Sequence, residues 1–142
     1  MGVCQDRVVI ITGAGGGLGA AHAKVFAAEG AKVIVNDINQ EAAQKVVDDI
    51  KAAGGDAVVN TSDITNYDDS LNAVKQAIDT YGDLHVVLNN AGINRDRMFA
   101  SMTESDWDAI MAVHLKGHFC ITSHAVHYWR GQSKEGKAVD AR

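Results

Sequence analysis

The sequence predicts an α/β fold, a doubly wound parallel sheet with helices on both faces. Three observations carry this. Short β-branched runs alternate with segments of helical periodicity along the whole chain. The helical segments place apolar residues at i, i+3, i+4 and i+7, the stripe of a helix lying on a sheet. No two strands are close enough for a tight hairpin, so each return is a right-handed crossover between parallel strands.

Arg7–Thr12 reads as a buried strand, followed by a helix from about Leu18 to Ala28. Ala31–Asn36 is the second strand. Ala43, Val46, Val47 and Ile50 mark one face of the second helix. Asp56–Asn60 is the third strand. Leu71, Val74, Ile78 and Tyr81 mark the third helix, for which Thr65 and Asp68 form the expected capping box. Leu84–Asn89 is the fourth strand, whose far edge is expected to lie uncovered. Thr103 with Asp106 caps a long last helix that reaches roughly Tyr128. The common strand order 3-2-1-4 puts the ligand crevice between strands one and four, at their carboxyl ends.

Composition narrows the function classes. The chain has 142 residues, 46% hydrophobic and 22% charged, which suits one water-soluble domain with a real core. The longest apolar run is Val8–Ile11, far below the roughly 20 residues of a membrane span. The first residues show no secretory signal, and a cytoplasmic setting is the default. Net charge is −5 with Lys and Arg scattered, so no nucleic-acid or membrane partner is expected. Cys4 and Cys120 stand apart in no metal or redox spacing.

Two features point to a dinucleotide. Strand one runs into Thr12-Gly13-Ala14-Gly15-Gly16-Gly17-Leu18-Gly19. Glycines allow a tight turn and close approach to a pyrophosphate, and the helix that follows aims its free N–H groups at that anion. The alternative reading is a merely flexible turn. Asp37 ends strand two, 18 residues after Gly19, where a carboxylate accepts from a ribose 2′-hydroxyl and repels a 2′-phosphate. No Arg or Lys adjoins it, which favours NAD over NADP.

Together these motifs resemble the short-chain dehydrogenase/reductase family, with its Rossmann-type sheet. The family's Thr-Gly-x-x-x-Gly-x-Gly is matched by Thr12, Gly13, Gly17 and Gly19; its Asn-Asn-Ala-Gly by Asn89, Asn90, Ala91 and Gly92; its Asp-aliphatic pair by Asp63 and Ile64. The resemblance implies NAD held by Gly13, Gly17, Leu18, Gly19, Asp37, Asp63, Ile64, Asn90, Ala91 and Gly92, with Asp63-Ile64 against the adenine. Gly92–Phe99, Asp106–Asp108 and Val113–Gly117 are similar to the (3R)-hydroxyacyl-CoA dehydrogenase group, which includes part of peroxisomal multifunctional enzyme type 2 and its bacterial relatives. A lipid-like secondary alcohol or an acyl thioester is therefore the implied substrate. The resemblance also implies a homo-oligomer formed through the last helix.

The family's catalytic Ser and Tyr-x-x-x-Lys are absent. Tyr67, Tyr81 and Tyr128 are followed four residues on by Leu71, His85 and Gln132. Residues 1–130 thus read as the NAD-binding half of a dehydrogenase, and 131–142 as a polar connection toward a missing fifth strand. His114 falls where the family has its catalytic Asn. Its spacing with Trp107, Ile110, Met111 and His118 puts it on the inward stripe, as holder of a relay water or as a buried, hydrogen-bonded histidine. No acid or Cys completes a metal set with His114 and His118, so no metal is expected. Arg95 and Arg97 are either phosphate contacts at the mouth or solvated loop residues. Trp107, Phe119, Tyr128 and Trp129 read as core or subunit contacts. Two other functions fit less well. One is a catalytically inactive NAD-binding or interaction protein. The other is an NADPH-dependent 3-oxoacyl-thioester reductase, against which Asp37 argues.

Overall fold

A computed structural model describes residues 2–142. It contains four strands, β1 (Val8–Thr12), β2 (Lys32–Asn36), β3 (Asp56–Asn60) and β4 (Val86–Leu88). All pair in parallel, as the alternation predicts, and in the common order expected, β3-β2-β1-β4. Helices α1 (Gly17–Ala28), α2 (Gln40–Ala52) and α3 (Tyr67–Tyr81) are the crossovers. A last helical column comprises α4 (Glu104–Met111), a π-helical stretch (Ala112–Gly117) and α5 (His118–Lys134).

The period-two alternation of the strands divides the core. Val9, Ile11, Val33 and Val35 face Ala23 and Ala27 of α1 and Ala43, Val46, Val47 and Ile50 of α2. Val8, Ile10 and Ile34 face Ala73, Val74 and Ala77 of α3 and Ile121 and Ala125 of α5. Every residue of β1 is buried, as a central parallel strand covered on both faces requires.

Four expectations are corrected. The cap of α3 is Asn66, whose side chain accepts from the Asp69 N–H, not Thr65 with Asp68. Thr65 is already engaged, its N–H and hydroxyl both donating to Asp63 Oδ1. The fourth strand shrinks to three residues. The ends of its run are taken by other bonds: the Trp129 indole donates to Leu84 O at 2.7 Å and the Asn90 N–H donates to the Thr12 hydroxyl at 3.0 Å. The last helix runs six residues beyond Tyr128, to Lys134, and widens to π geometry midway. The edge of β4 is partly covered. The Arg142 N–H donates to His85 O at 2.8 Å and Arg142 O accepts from the Val87 N–H at 3.2 Å, one rung of parallel type. An Arg7–Asp140 ion pair at 2.6 Å anchors that segment.

Candidate nucleotide cleft

The carboxyl ends of β1 and β4 are riveted by Thr12 and Asn90. The Thr12 hydroxyl accepts from the backbone N–H groups of Asn90 and Ala91, each at 3.0 Å. The Asn90 amide donates to Thr12 O at 2.9 Å and to Gly13 O at 3.2 Å. Gly13 has φ +62°, and a Cβ there would meet Ala91 Cα at 2.8 Å, so the turn demands glycine twice over. A Cβ on Gly19 would meet Asn90 Nδ2 at 2.6 Å. The glycine turn and the Asn-Asn-Ala-Gly segment are therefore one packed unit.

The start of α1 is chemically unlike the other crossover helices. Asn39 caps α2 and Asn66 caps α3 through their side chains. Gly16 caps α1 with no side chain, and its first turn holds no acid. Nothing lies within 4 Å of where side chains on Gly16 or Gly17 would project. An open helix start with free N–H groups is what an anion occupies.

On the other side, the Asp37 carboxylate accepts from the Gly15 N–H and the Asn39 N–H, each at 2.9 Å. Behind it the buried Asn36 amide donates to Asn60 Oδ1 at 2.7 Å and to Ser62 O at 3.0 Å. That strap fixes the turn carrying Asp63 and Ile64. Ile64 is buried, and Gly117 admits it, since a Cβ on Gly117 would meet Ile64 Cδ1 at 2.9 Å.

These walls enclose a cleft of about 540 Å³. Nine of the ten residues expected from the sequence line it: Gly13, Leu18, Gly19, Asp37, Asp63, Ile64, Asn90, Ala91 and Gly92. The tenth, Gly17, opens α1 at its rim. Sequence reasoning missed Asn36, Ser62, Ile38, Ile93 and Val113, which also line it. Ile93 and Val113 lie in the segments Gly92–Phe99 and Val113–Gly117, which carry the resemblance but give these two no cleft role; Asn36 and Ser62 arrive through the Asn36 strap. The glycine turn, the open helix start and Asp37 fit a dinucleotide.

The histidines of the last helical column, Arg97 and the tyrosines do not line the cleft. His114 is exposed, not buried, and its Nε2 lies against the Ile93 backbone. The histidines diverge: His118 reaches Ala91 O, His124 reaches Tyr67 O and His127 reaches Ser123 O. Arg97 remains exposed, as a loop arginine should, but it has a partner. Its Nε is 2.9 Å from Asp106 Oδ2, the carboxylate of the α4 capping box that the sequence predicts. The Tyr81 and Tyr128 hydroxyls donate to Asp56 and Asp83. Burial, helped by Asp83, pushes Tyr128 up to about 12, and Tyr81 also rises. A tyrosine serving as base needs a shift the other way.

A family model of short chain dehydrogenases matches residues 7–141. The chain belongs to the short chain dehydrogenase family. It is 46% identical over 138 residues to peroxisomal multifunctional enzyme type 2 of Mus musculus, covering 91% of this chain and 18% of that protein. It is 43% identical to the hydroxyacyl-CoA dehydrogenase ChsB1 of Mycobacterium tuberculosis, covering 97% of this chain and 45% of that one. A crystal structure of a short chain dehydrogenase from Mycobacterium avium superposes with TM-score 0.96 at 54% identity, covering 99% of this chain and 54% of that chain. This short chain dehydrogenase sequence thus spans less than a third of the first multifunctional relatives, 30% of the one from Dictyostelium discoideum and 18% of the mouse one. Among the described residues, no helix is long and apolar enough to cross a membrane.

Proposed function

We propose that this chain is the cofactor-binding part of an NAD-dependent dehydrogenase acting on a lipid-like secondary alcohol such as a 3-hydroxyacyl-CoA. The observation that carries the cofactor is Asp37. Its carboxylate is fixed by two backbone N–H groups beside the glycine turn, with no Lys or Arg lining the cleft. Such an acid accepts from the ribose 2′- and 3′-hydroxyls and opposes a 2′-phosphate. Gly13, Gly17, Leu18 and Gly19 would hold the pyrophosphate at the open start of α1. Asp63 and Ile64 would face the adenine. Asn90, Ala91 and Gly92 would wall the nicotinamide side. NAD, when bound, supplies the hydride acceptor.

The substrate class is supported by the names of the relatives, which include a hydroxyacyl-CoA dehydrogenase and peroxisomal multifunctional enzymes. The residues present bind and orient. None of the three tyrosines has a lysine four positions on, so the proton of an alcohol has no tyrosine–lysine base to receive it here. The chain alone is proposed to bind NAD without turnover. A second copy is proposed to cover the outer face of the last helical column, where Leu115, Phe119 and Val126 are exposed.

Calorimetric titration of the pure chain tests this. NAD should bind more tightly than NADP, and Asp37→Ala should erase the difference. Tighter binding of NADP would favour the reductase reading. Hydroxyacyl-CoA-dependent NADH formation by the chain alone would overturn the proposed division between binding and catalysis.

A further inference from the structure

We propose that His114 is a positioning residue, a latch that holds the Ile93 backbone in the cleft wall through one ring nitrogen that serves either the N–H or the C=O but never both. His114 Nε2 lies 3.0 Å from Ile93 N and 2.8 Å from Ile93 O. The ring lies against Gly92, where a Cβ would meet His114 Cε1 at 2.8 Å. One turn on, the His118 Nε2–H donates to Ala91 O at 3.3 Å. Two histidines of one helical column therefore grip the Ala91–Ile93 backbone, and all three of those residues line the cleft. His114 stands within the π-helical stretch, a local widening often found at functional positions.

The chemistry of imidazole makes this grip conditional. A neutral ring carries one donor nitrogen and one acceptor nitrogen; a protonated ring carries two donors. With its proton on Nδ1, His114 accepts from the Ile93 N–H and leaves the Ile93 C=O free. With a second proton, Nε2–H donates to the C=O and the Ile93 N–H loses its partner. A neutral ring with its proton on Nε2 would make that same bond at every pH, so the latch is the Nδ1–H tautomer, and its two bonding states are exchanged by one proton. The titratable neighbour on the same column is His118, with ring centroids 6.4 Å apart. The charged side chains of the facing segment are Arg95, Asp96 and Arg97, the last held by Asp106. An asparagine would meet both backbone groups at once, because its side chain carries an acceptor and a donor.

The inference rests on the nucleotide reading only in calling this wall a cofactor wall, and its test uses no nucleotide. Amide hydrogen exchange of Ile93 is measured on the full chain between about pH 8 and pH 5, the range in which imidazole takes its second proton. Rates are expressed as protection factors, which removes the intrinsic pH dependence. The Ile93 factor should fall about fivefold on acidification, the factor carried by one net hydrogen bond. Over the same range the His114 Nε2 nitrogen resonance should change from acceptor to donor character. His114→Asn should keep Ile93 protected at both pH values. His114→Phe, which keeps a ring on Gly92, should leave it unprotected at both. A flat wild-type profile, or protection in His114→Phe equal to wild type at the higher pH, would overturn the latch. Failure of NAD to bind would leave all four readouts intact, so the two proposals fail separately.

Discussion

Asp106 shows how one carboxylate can serve two neighbours. Its Oδ2 accepts from the Thr103 hydroxyl at 2.8 Å and the Thr103 N–H at 3.1 Å, and pairs with Arg97 Nε at 2.9 Å. The Thr103 donors, then Arg97, hold its carboxyl below the usual carboxylate range. A group whose folded value is depressed adds stability above its unfolded value and loses it as pH falls through the folded one. Asp106→Asn should therefore lower the urea midpoint at neutral pH. The gap to wild type should close on acidification below about pH 3.9, where an unperturbed Asp is protonated. A gap that stayed constant with pH would show that the charge is not what stabilises the α4 start. The same residue gives Arg97 a partner through Nε, a pairing that local sequence does not announce because the two stand nine positions apart.

At the scale of elements, helix starts divide into those that cap themselves and one that does not. Asn39, Asn66 and Thr103 cap α2, α3 and α4, while α1 begins on glycine. The α3 start was legible in type and misplaced by one residue. Thr65 and Asn66 are both cap formers, and the choice turned on Asp63, which engages the Thr65 hydroxyl at 2.7 Å. Asn66→Ala should cost about 1 kcal/mol of folding stability, the ordinary value of a lost N-cap. Thr65→Ala should cost less, since it removes only a solvent-exposed turn bond. Denaturant unfolding of the two variants gives the order, and a larger loss for Thr65→Ala would restore the capping box expected from the sequence.

For the whole molecule, one face of the last helical column remains to be covered. Leu115 and Phe119 are each 61% exposed, and Val126 is also exposed. Tyr67 continues the ridge, its ring centroid 6.0 Å from that of Phe119. On the proposal that a second copy covers it, Phe119→Asp should shift the chain from dimer to monomer in sedimentation velocity while keeping its circular dichroism. A wild-type chain that sediments as a monomer at all concentrations would overturn that proposal.

The parallel pairing, the two core faces, the glycine turn and Asp37 could all be read from the sequence by itself. Each depends on a short-range pattern: alternation in strands, three-to-four spacing in helices, or a turn that only glycine tolerates. The strand order came from the common order of such folds instead. Tertiary structure decided what depends on distant partners. It trimmed β4 to Val86–Leu88, with Trp129 on the Leu84 carbonyl and the Thr12 hydroxyl on the Asn90 N–H at its ends. It placed Arg142 on the β4 edge through the Arg7–Asp140 pair. It turned His114 from an expected inward residue into an exposed one bonded to Ile93. In a helix, periodicity states which residues share a face, but the neighbour waiting at that face is set by the fold, and here that neighbour is a backbone with no side chain at Gly92.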